Sequence, residues 1–457
     1  MLYNEGISFR RDHLFMSNRE NWTSKIGFIL AAAGSAIGLG AIWKFPYMAG
    51  TNGGSIFILL FILSTILIGL PILIGEFLIG RRGQADVVTA FRRLAPGTAW
   101  PIFGFLGFIL SIIVLSFYSV VGGWILSYLV RSAAYLFGGG TPHDFGALFE
   151  SIIARPGEAL LAQAVFMFLT IWIVSRGIQG GIERASKWMM PMLFIFFIIL
   201  AIRSLTLDGA MEGIRFMFVP DFSYLNGETA LLALGQAFFS LSVGIGSMIT
   251  YASYLPKDEN LVKSGWSVTL LNIVISILAG LVIFPAVFAF GASPAEGPGL
   301  VFVILPAIFE SMPFGFLFML LFFVLMLFAT LTSSIAMLEI TVSIGIRNKY
   351  EKRKGAAFLF GVIVFLVGIP SALSFGILSD TKVFGLTFFD LADTIVSKFG
   401  MPIGAFLIAL FAGYYLSREI TEEELGGPGF QASAWRILVR YVCPLAIILI
   451  FISTIWG

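Results

Sequence analysis

Long apolar runs alternate with short polar segments along almost the whole chain, and most are long enough to cross a bilayer as a helix, which takes about 20 residues. Eleven runs are read as spans, at 24–50, 55–79, 99–137, 158–175, 186–204, 228–254, 264–290, 313–346, 356–373, 385–416 and 433–456. Several exceed the crossing length, which predicts tilt or extension past the membrane. The first run is interrupted. Gly34 to Pro46 (Gly-Ser-Ala-Ile-Gly-Leu-Gly-Ala-Ile-Trp-Lys-Phe-Pro) carries Gly34, Gly38 and Gly40 and ends in a Lys and a Pro. Each Gly costs a helix interior about 1 kcal/mol relative to Ala. Irregular backbone at membrane depth is tolerated only where it lines a cavity or is buried in protein. Taken alone, the segment has two readings: a helix broken near the midplane whose free carbonyls and amides hold a ligand, or close packing through small residues. The sixth run repeats the feature, with Gly244 and Gly246 inside Phe239 to Ser247. Gly-interrupted spans at corresponding positions of two halves point to the binding site of an inverted-repeat transporter. This favours broken helices.

The expected fold is an all-α polytopic membrane protein with two inverted five-helix repeats. Residues 1–23 form a cytoplasmic tail, 24–204 the first repeat (helices 1–5) and 205–227 an extracellular connection. Residues 228–416 form the second repeat (helices 6–10), and 417–457 a loop and helix 11. Between spans, 138–157 carry Gly, Pro and charge, and 291–312 hold Pro294, Pro298 and Pro306 around an apolar stretch, Leu300 to Phe309. That stretch reads equally as a short helix dipping into an outer vestibule and as an ordinary loop.

Composition excludes other classes. The 457 residues are 58% hydrophobic and only 12% charged, unlike a soluble domain. A net charge of +2 gives no reason to expect a nucleic-acid partner; the partners are a lipid bilayer and a small molecule. Cys443 is single, which excludes an intrachain disulfide and a Cys-rich metal site. His13 and His143 lie outside the spans, and no nucleophile–base pair is visible, so an enzyme is not expected. With the N-terminus in the cytoplasm, 21 of the 28 Lys and Arg fall inside, so the positive-inside rule puts the C-terminus outside. The sequon Asn21-Trp22-Thr23 then lies inside and is read as chance.

Several motifs, in order, carry a resemblance: Gly34-Ser-Ala-Ile-Gly-Leu-Gly40 with Trp43-Lys-Phe-Pro46, Asn52-Gly-Gly54, and Tyr118-Ser-Val-Val-Gly-Gly-Trp124. They continue with Gln236-Ala-Phe-Phe-Ser-Leu-Ser242, Thr250-Tyr-Ala-Ser-Tyr254 and Thr332-Ser-Ser-Ile-Ala336. The chain resembles the neurotransmitter:sodium symporter family over nearly its whole length. The resemblance implies the fold of the bacterial leucine transporter and sodium-driven uptake of a small molecule across a bacterial plasma membrane.

Site residues follow by matching positions. The family's second sodium site maps onto the carbonyls of Gly34, Ile37 and Ala329 and the hydroxyls of Thr332 and Ser333. From the residues alone, these hydroxyls could as well bond back to their own helix. The first sodium site matches at Ala36, Ser240 and Asn272, but Ala41 stands where the family has a ligating Asn. The chloride position matches at Gln236, Ser240 and Ser276, but Phe61 replaces a Tyr hydroxyl, and no carboxylate stands at Ser276. A buried cation needs a nearby negative charge, so loss of the first sodium removes the need for chloride. One coupled Na⁺ without chloride is the preferred expectation, and a chloride-dependent two-sodium symporter the alternative. A transport-silent amino-acid sensor is the other class considered.

For substrate, Gly38 stands where monoamine carriers of the family have an Asp, leaving room for the substrate's own carboxylate. The amides of Leu39 and Gly40 and the Tyr118 hydroxyl would hold it, and Ala36, Phe239, Ser240 and Ser242 would take the amine. Val114, Ile245, Met337 and Phe239 form an apolar subsite, with Ser35 at a position that can carry Asn in the family. The implied substrate is a neutral, apolar amino acid. Lys44 and Asp393 match an outer gate pair, with Tyr118 and Phe239 as an inner lid over the substrate. Arg19, Trp22 and Tyr254 match a cytoplasmic gate whose acid is replaced by Arg347, with Glu351 a candidate substitute. Glu339 matches a Gln-or-Glu position and is expected to give structural support.

Overall fold

The structure, a computed structural model, describes residues 20–138, 144–295, 297, 299–347 and 349–456, the last three by backbone alone. His13 and His143 lie outside the described residues. Among the described residues, nine apolar helices are long enough to cross a membrane: Ser55–Gly83, Pro101–Leu136, Pro156–Val174, Ile178–Leu205, Leu261–Ala289, Gly315–Ile346, Tyr350–Leu373, Phe388–Tyr415 and Phe430–Ser453. Two further spans are broken. Lys25–Ala36 and Gly40–Thr51 meet at 51°, and Gly227–Leu241 is separated from Ser247–Ala252 by an unwound stretch. With spans 1 and 6 counted whole, there are eleven. Among the described residues there is no β-sheet, only an isolated bridge between Val383 and Leu386.

Local chemistry sets the helix starts. Ser24 Oγ accepts the Gly27 N–H at 3.0 Å to open span 1. Asn226 caps span 6 through the Thr229 N–H at 2.9 Å, and Asn260 caps span 7 through the Lys263 N–H at 2.9 Å. Each such cap is worth about 1 kcal/mol. Within the spans, many Ser and Thr hydroxyls bond to the carbonyl three or four residues earlier, as for Ser116, Ser119, Thr330 and Thr341. A polar atom in an apolar span is thereby satisfied without a partner helix.

Of the nine unbroken spans, 3, 7 and 8 are the most enclosed and 9 and 11 the least. Spans 3 and 8 lie together along much of their length, facing the breaks. Span 5 starts at Ile178 rather than 186, because a wide helical turn, Ile178–Glu183, continues it through a stretch that reads as polar. Its Glu183 is buried and satisfied by the Thr23 backbone and hydroxyl at 2.8 and 2.5 Å and by Lys187 at 2.6 Å.

The long connections are structured. Helices Phe145–Ala154 and Ala210–Phe218 occupy two of them. Residues 300–310 are helical (Leu300–Ile304 continuing into Leu305–Glu310), so the helix reading of that stretch holds over the loop reading. Its Leu300, Val301 and Phe302 are buried, the Phe302 carbonyl takes the Tyr128 hydroxyl, and its ring stacks on Phe149 at 5.2 Å. Cys443 is fully buried in span 11, its sulfur 3.7 Å from the Ile68 carbonyl of span 2.

Candidate functional site

The two breaks face each other. In span 1 the chain leaves the helix at Ile37, with φ −86° and ψ 78°, and resumes in the wide turn Gly40–Lys44. In span 6 it turns at Ser242, Gly244 and Gly246, all at positive φ, before the short inner helix. Gly reaches that region without the Cβ penalty, which is why the interruption needs Gly244 and Gly246. Glu76 of span 2 holds the turn. Its carboxylate is fully buried and accepts N–H bonds from Gly244 at 2.6 Å, Met248 at 3.2 Å and Ile249 at 3.3 Å. The breaks are tied to each other as well: Ser242 Oγ donates to the Ser35 carbonyl at 3.0 Å, and Gln236 Nε2 to the Gly40 carbonyl at 2.7 Å.

Between them lies a small cavity of about 20 Å³, lined by Ala36, Gly38, Leu39, Gly40, Val114, Tyr118, Phe239, Ser242, Ile245, Ser333, Met337 and Met401. Most residues expected at a substrate pocket are brought together here. Ser35 and Ser240 are not on its wall; the first gives its carbonyl to Ser242 and Ser333, and the second turns its hydroxyl to Asn272 at 2.9 Å. Ser333, read as a sodium ligand, also lines the cavity, and Met401 of span 10 was not foreseen because a Met in an apolar run gives no signal. The Leu39 N–H donates to the Tyr118 hydroxyl at 3.1 Å. A Cβ on Gly38 would overlap the hydroxyl oxygens of Tyr118 and Ser333, so only Gly fits there.

The residues matched to the second sodium site converge from spans 1 and 8. Ser333 Oγ bonds to the Gly34 and Ser35 carbonyls at 3.1 and 3.0 Å, and Thr332 Oγ1 to the Ala329 carbonyl at 2.9 Å. The Thr332 side chain packs directly on Gly34, the span from which Ile37 also comes. The residues matched to the first site are together too, but Asn272 directs its amide N–H groups at the Ala36 and Ser240 carbonyls, 3.3 and 3.0 Å away. Those are the carbonyls a cation would need, and Ala41 is a buried methyl. At the chloride position each donor is engaged within the protein: Gln236 with Gly40, Ser240 with Asn272, and Ser276 with the Asn272 carbonyl at 3.0 Å. Phe61 is buried against Phe45, ring centroids 4.8 Å apart.

Several residues matched to the gates have other partners in this structure. Among the described residues no ion pair joins Lys44 to Asp393. The Lys44 ammonium sits over the Phe239 ring at 4.3 Å, and Asp393 accepts the Ser397 hydroxyl at 2.6 Å. A Lys is a point charge on a flexible stem, with no fork to hold it to a carboxylate. On the inner side, Glu351 joins no ion pair among the described residues, and a buried ion pair is formed by Glu339 and Arg353, which are in contact. The Tyr254 hydroxyl donates to Glu339 at 2.7 Å, and Arg353 Nε to the Val174 carbonyl at 2.9 Å. Arg353 also lies 3.8 Å from Glu20, which takes the Ile178 N–H at 2.6 Å. Trp22 bonds to the Tyr251 carbonyl at 2.9 Å, and Arg347 ends span 8 at positive φ; Arg19 lies outside the described residues. Arg353 was hidden in a basic cluster that reads as topology alone. Glu76 did carry a signal, since an ionisable residue inside a span is a functional candidate by default.

The chain matches the profile of the sodium:neurotransmitter symporter family over residues 19–138 and 145–457. It is 52% identical to the sodium-dependent transporter YhdH of Bacillus subtilis (strain 168), over 95% of this chain and 97% of that one. It is 36% identical to a sodium-dependent transporter of Haemophilus influenzae, over 96% and 98%. The crystal structure of MhsT in complex with L-phenylalanine superposes with a TM-score of 0.89 at 45% identity, covering 95% of this chain and 99% of that one.

Proposed function

This chain belongs to the sodium:neurotransmitter symporter family and is a sodium-dependent transporter, not an enzyme; we propose that it takes up a neutral, apolar amino acid coupled to a single Na⁺ and without chloride. The observation that carries the substrate class is the cavity between the two breaks. Leu39 N–H and the Tyr118 hydroxyl supply polar anchors at one side, while Val114, Phe239, Ile245, Met337 and Met401 supply an apolar wall. MhsT with its bound L-phenylalanine is in keeping with this class. The cavity is close to the size of a single water, for which about 10–15 Å³ suffices. Substrate therefore has to move wall side chains, and the unbranched Met337 and Met401 are suited to that.

We assign the coupling ion to Gly34, Ile37, Ala329, Thr332 and Ser333, where oxygens of spans 1 and 8 meet. Na⁺ and substrate together favour the occluded state, and the inner ends of spans 1 and 5 then open. Ala41, a buried methyl where the family has a ligating Asn, argues against an ion at the first site, and Phe61, buried against Phe45 where the family has a Tyr hydroxyl, argues against chloride. We assign residues 24–204 and 228–416 to the two inverted repeats, and the basic residues place the N-terminus in the cytoplasm of a bacterial plasma membrane.

Uptake into proteoliposomes from a panel of neutral amino acids, with Na⁺ or K⁺ and chloride or gluconate outside, tests the proposal. Na⁺-dependent, chloride-indifferent uptake with a sodium Hill coefficient near one is expected. Chloride dependence, or a coefficient clearly above one, would restore the first sodium and an anion at Gln236, Ser240 and Ser276. Thr332→Val should raise the Na⁺ concentration for half-maximal uptake about tenfold, equivalent to roughly 1.4 kcal/mol. A sodium titration of the variant that overlays the parent's would remove Thr332 from the site.

A further inference from the structure

On the side carrying most of the basic residues, a second cavity of about 350 Å³ lies between the short helix Arg418–Glu424 and the start of span 11. Three guanidinium groups line it, from Arg418, Arg436 and Arg440. Arg418 is neutralised by Glu422 at 2.6 Å, and Glu419 on the same short helix faces water. Arg436 and Arg440 form no ion pair among the described residues. Arg436 reaches Thr421 Oγ1 at 2.9 Å and only weakly the Leu416 carbonyl at 3.5 Å. Arg440 stacks over the Tyr414 ring at 4.6 Å, and its Nε is buried with no hydrogen-bond partner. At the rim, Ile437 and Tyr441 are 56% and 60% exposed on the outward face of span 11.

We propose that this cavity holds the phosphate of an anionic phospholipid from the adjoining leaflet. Arg436 and Arg440 line the cavity without an ion-pair partner among the described residues, and planar guanidinium groups suit the bidentate geometry of phosphate. The rim decides the source. The cavity opens beside apolar and aromatic side chains at the end of a span, where acyl chains run, and basic pockets between spans at that leaflet bind anionic headgroups. Glu422 and Glu419 both act on Arg436 and offset two of the three guanidinium charges, and the one that remains selects a headgroup with net negative charge over a zwitterionic one.

Native mass spectrometry of the full-length transporter in a neutral detergent tests this with phosphatidylglycerol, phosphatidylcholine and inorganic phosphate as separate probes. Retention of phosphatidylglycerol at least about tenfold above phosphatidylcholine is expected, with a comparable loss in the Arg436→Gln/Arg440→Gln double variant. Arg92→Gln, which removes an exposed charge elsewhere, should retain the lipid. Equal retention of the two lipids overturns the proposal, as does full retention by the double variant. Displacement of phosphatidylglycerol by millimolar inorganic phosphate reassigns the cavity to free anions and also overturns it. The lipid comparison on the parent protein needs no variant, so a double variant that fails to fold leaves the test intact.

Discussion

Glu76→Ala is expected to abolish uptake while the chain still inserts into the membrane. The carboxylate is the acceptor for three N–H groups at the span 6 turn, those of Gly244, Met248 and Ile249. Removing it leaves buried donors unsatisfied at about 1–3 kcal/mol each. The sum exceeds the free energy that separates conformations of a working transporter, typically a few kcal/mol. The turn would re-form around other acceptors or collapse, taking Ser242 and Ile245 out of the cavity wall. Glu76→Gln keeps one acceptor oxygen and should show a smaller loss. Uptake and equilibrium substrate binding, measured on protein that elutes as a monodisperse peak, give the readout. Parent-like uptake by Glu76→Ala would show that the turn holds itself.

The second large effect is on the inner side. Arg353→Met should open it, because the variant leaves the Glu339 charge buried without its partner. Breaking a buried ion pair by removing one member costs about 3–5 kcal/mol, whereas replacing both is often neutral. The double variant Glu339→Gln/Arg353→Met is therefore expected to recover much of the loss. The pair sits where the inner ends of several spans converge: Tyr254 follows span 6, Glu339 belongs to span 8, Arg353 to span 9, and Val174 ends span 4. A thiol at Ser253→Cys, fully buried in the parent, reports the opening. Its labelling by a water-soluble maleimide should accelerate at least about tenfold in Arg353→Met, which corresponds to roughly 1.4 kcal/mol. Unchanged labelling would mean that Trp22 and its bond to the Tyr251 carbonyl close the inner side unaided.

The spans were legible because length and apolarity alone define a crossing helix, and the breaks were legible because Gly is conspicuous in such a run. Gly244 and Gly246 adopt the positive φ that only their residue type makes cheap, and Gly38 faces two hydroxyls that leave no room for a side chain. Chemistry that depends on pairing was less legible. Arg353 sits in a run of basic residues, and nothing in that run distinguishes the one that turns inward. Lys44 and Asp393 match a gate by position, yet the Lys rests on an aromatic face and the Asp on a neighbouring Ser. Glu183 lies in a segment that reads as a polar loop, and only folding brings Thr23 and Lys187 around it. The wall residue Met401 is as apolar as the exposed Phe399 and Ile403 on either side of it.

The buried sulfur of span 11 has a practical consequence. Cys443 is the chain's single thiol, is shielded from solvent and lies against a span 2 carbonyl. Thiol reagents need access and a thiolate, so the parent protein should be silent to them. Any cysteine introduced at a gate would then be the only reactive position, without first replacing the native one. Distances between spin labels or fluorophores at chosen pairs could be followed through the transport cycle in an otherwise unaltered protein.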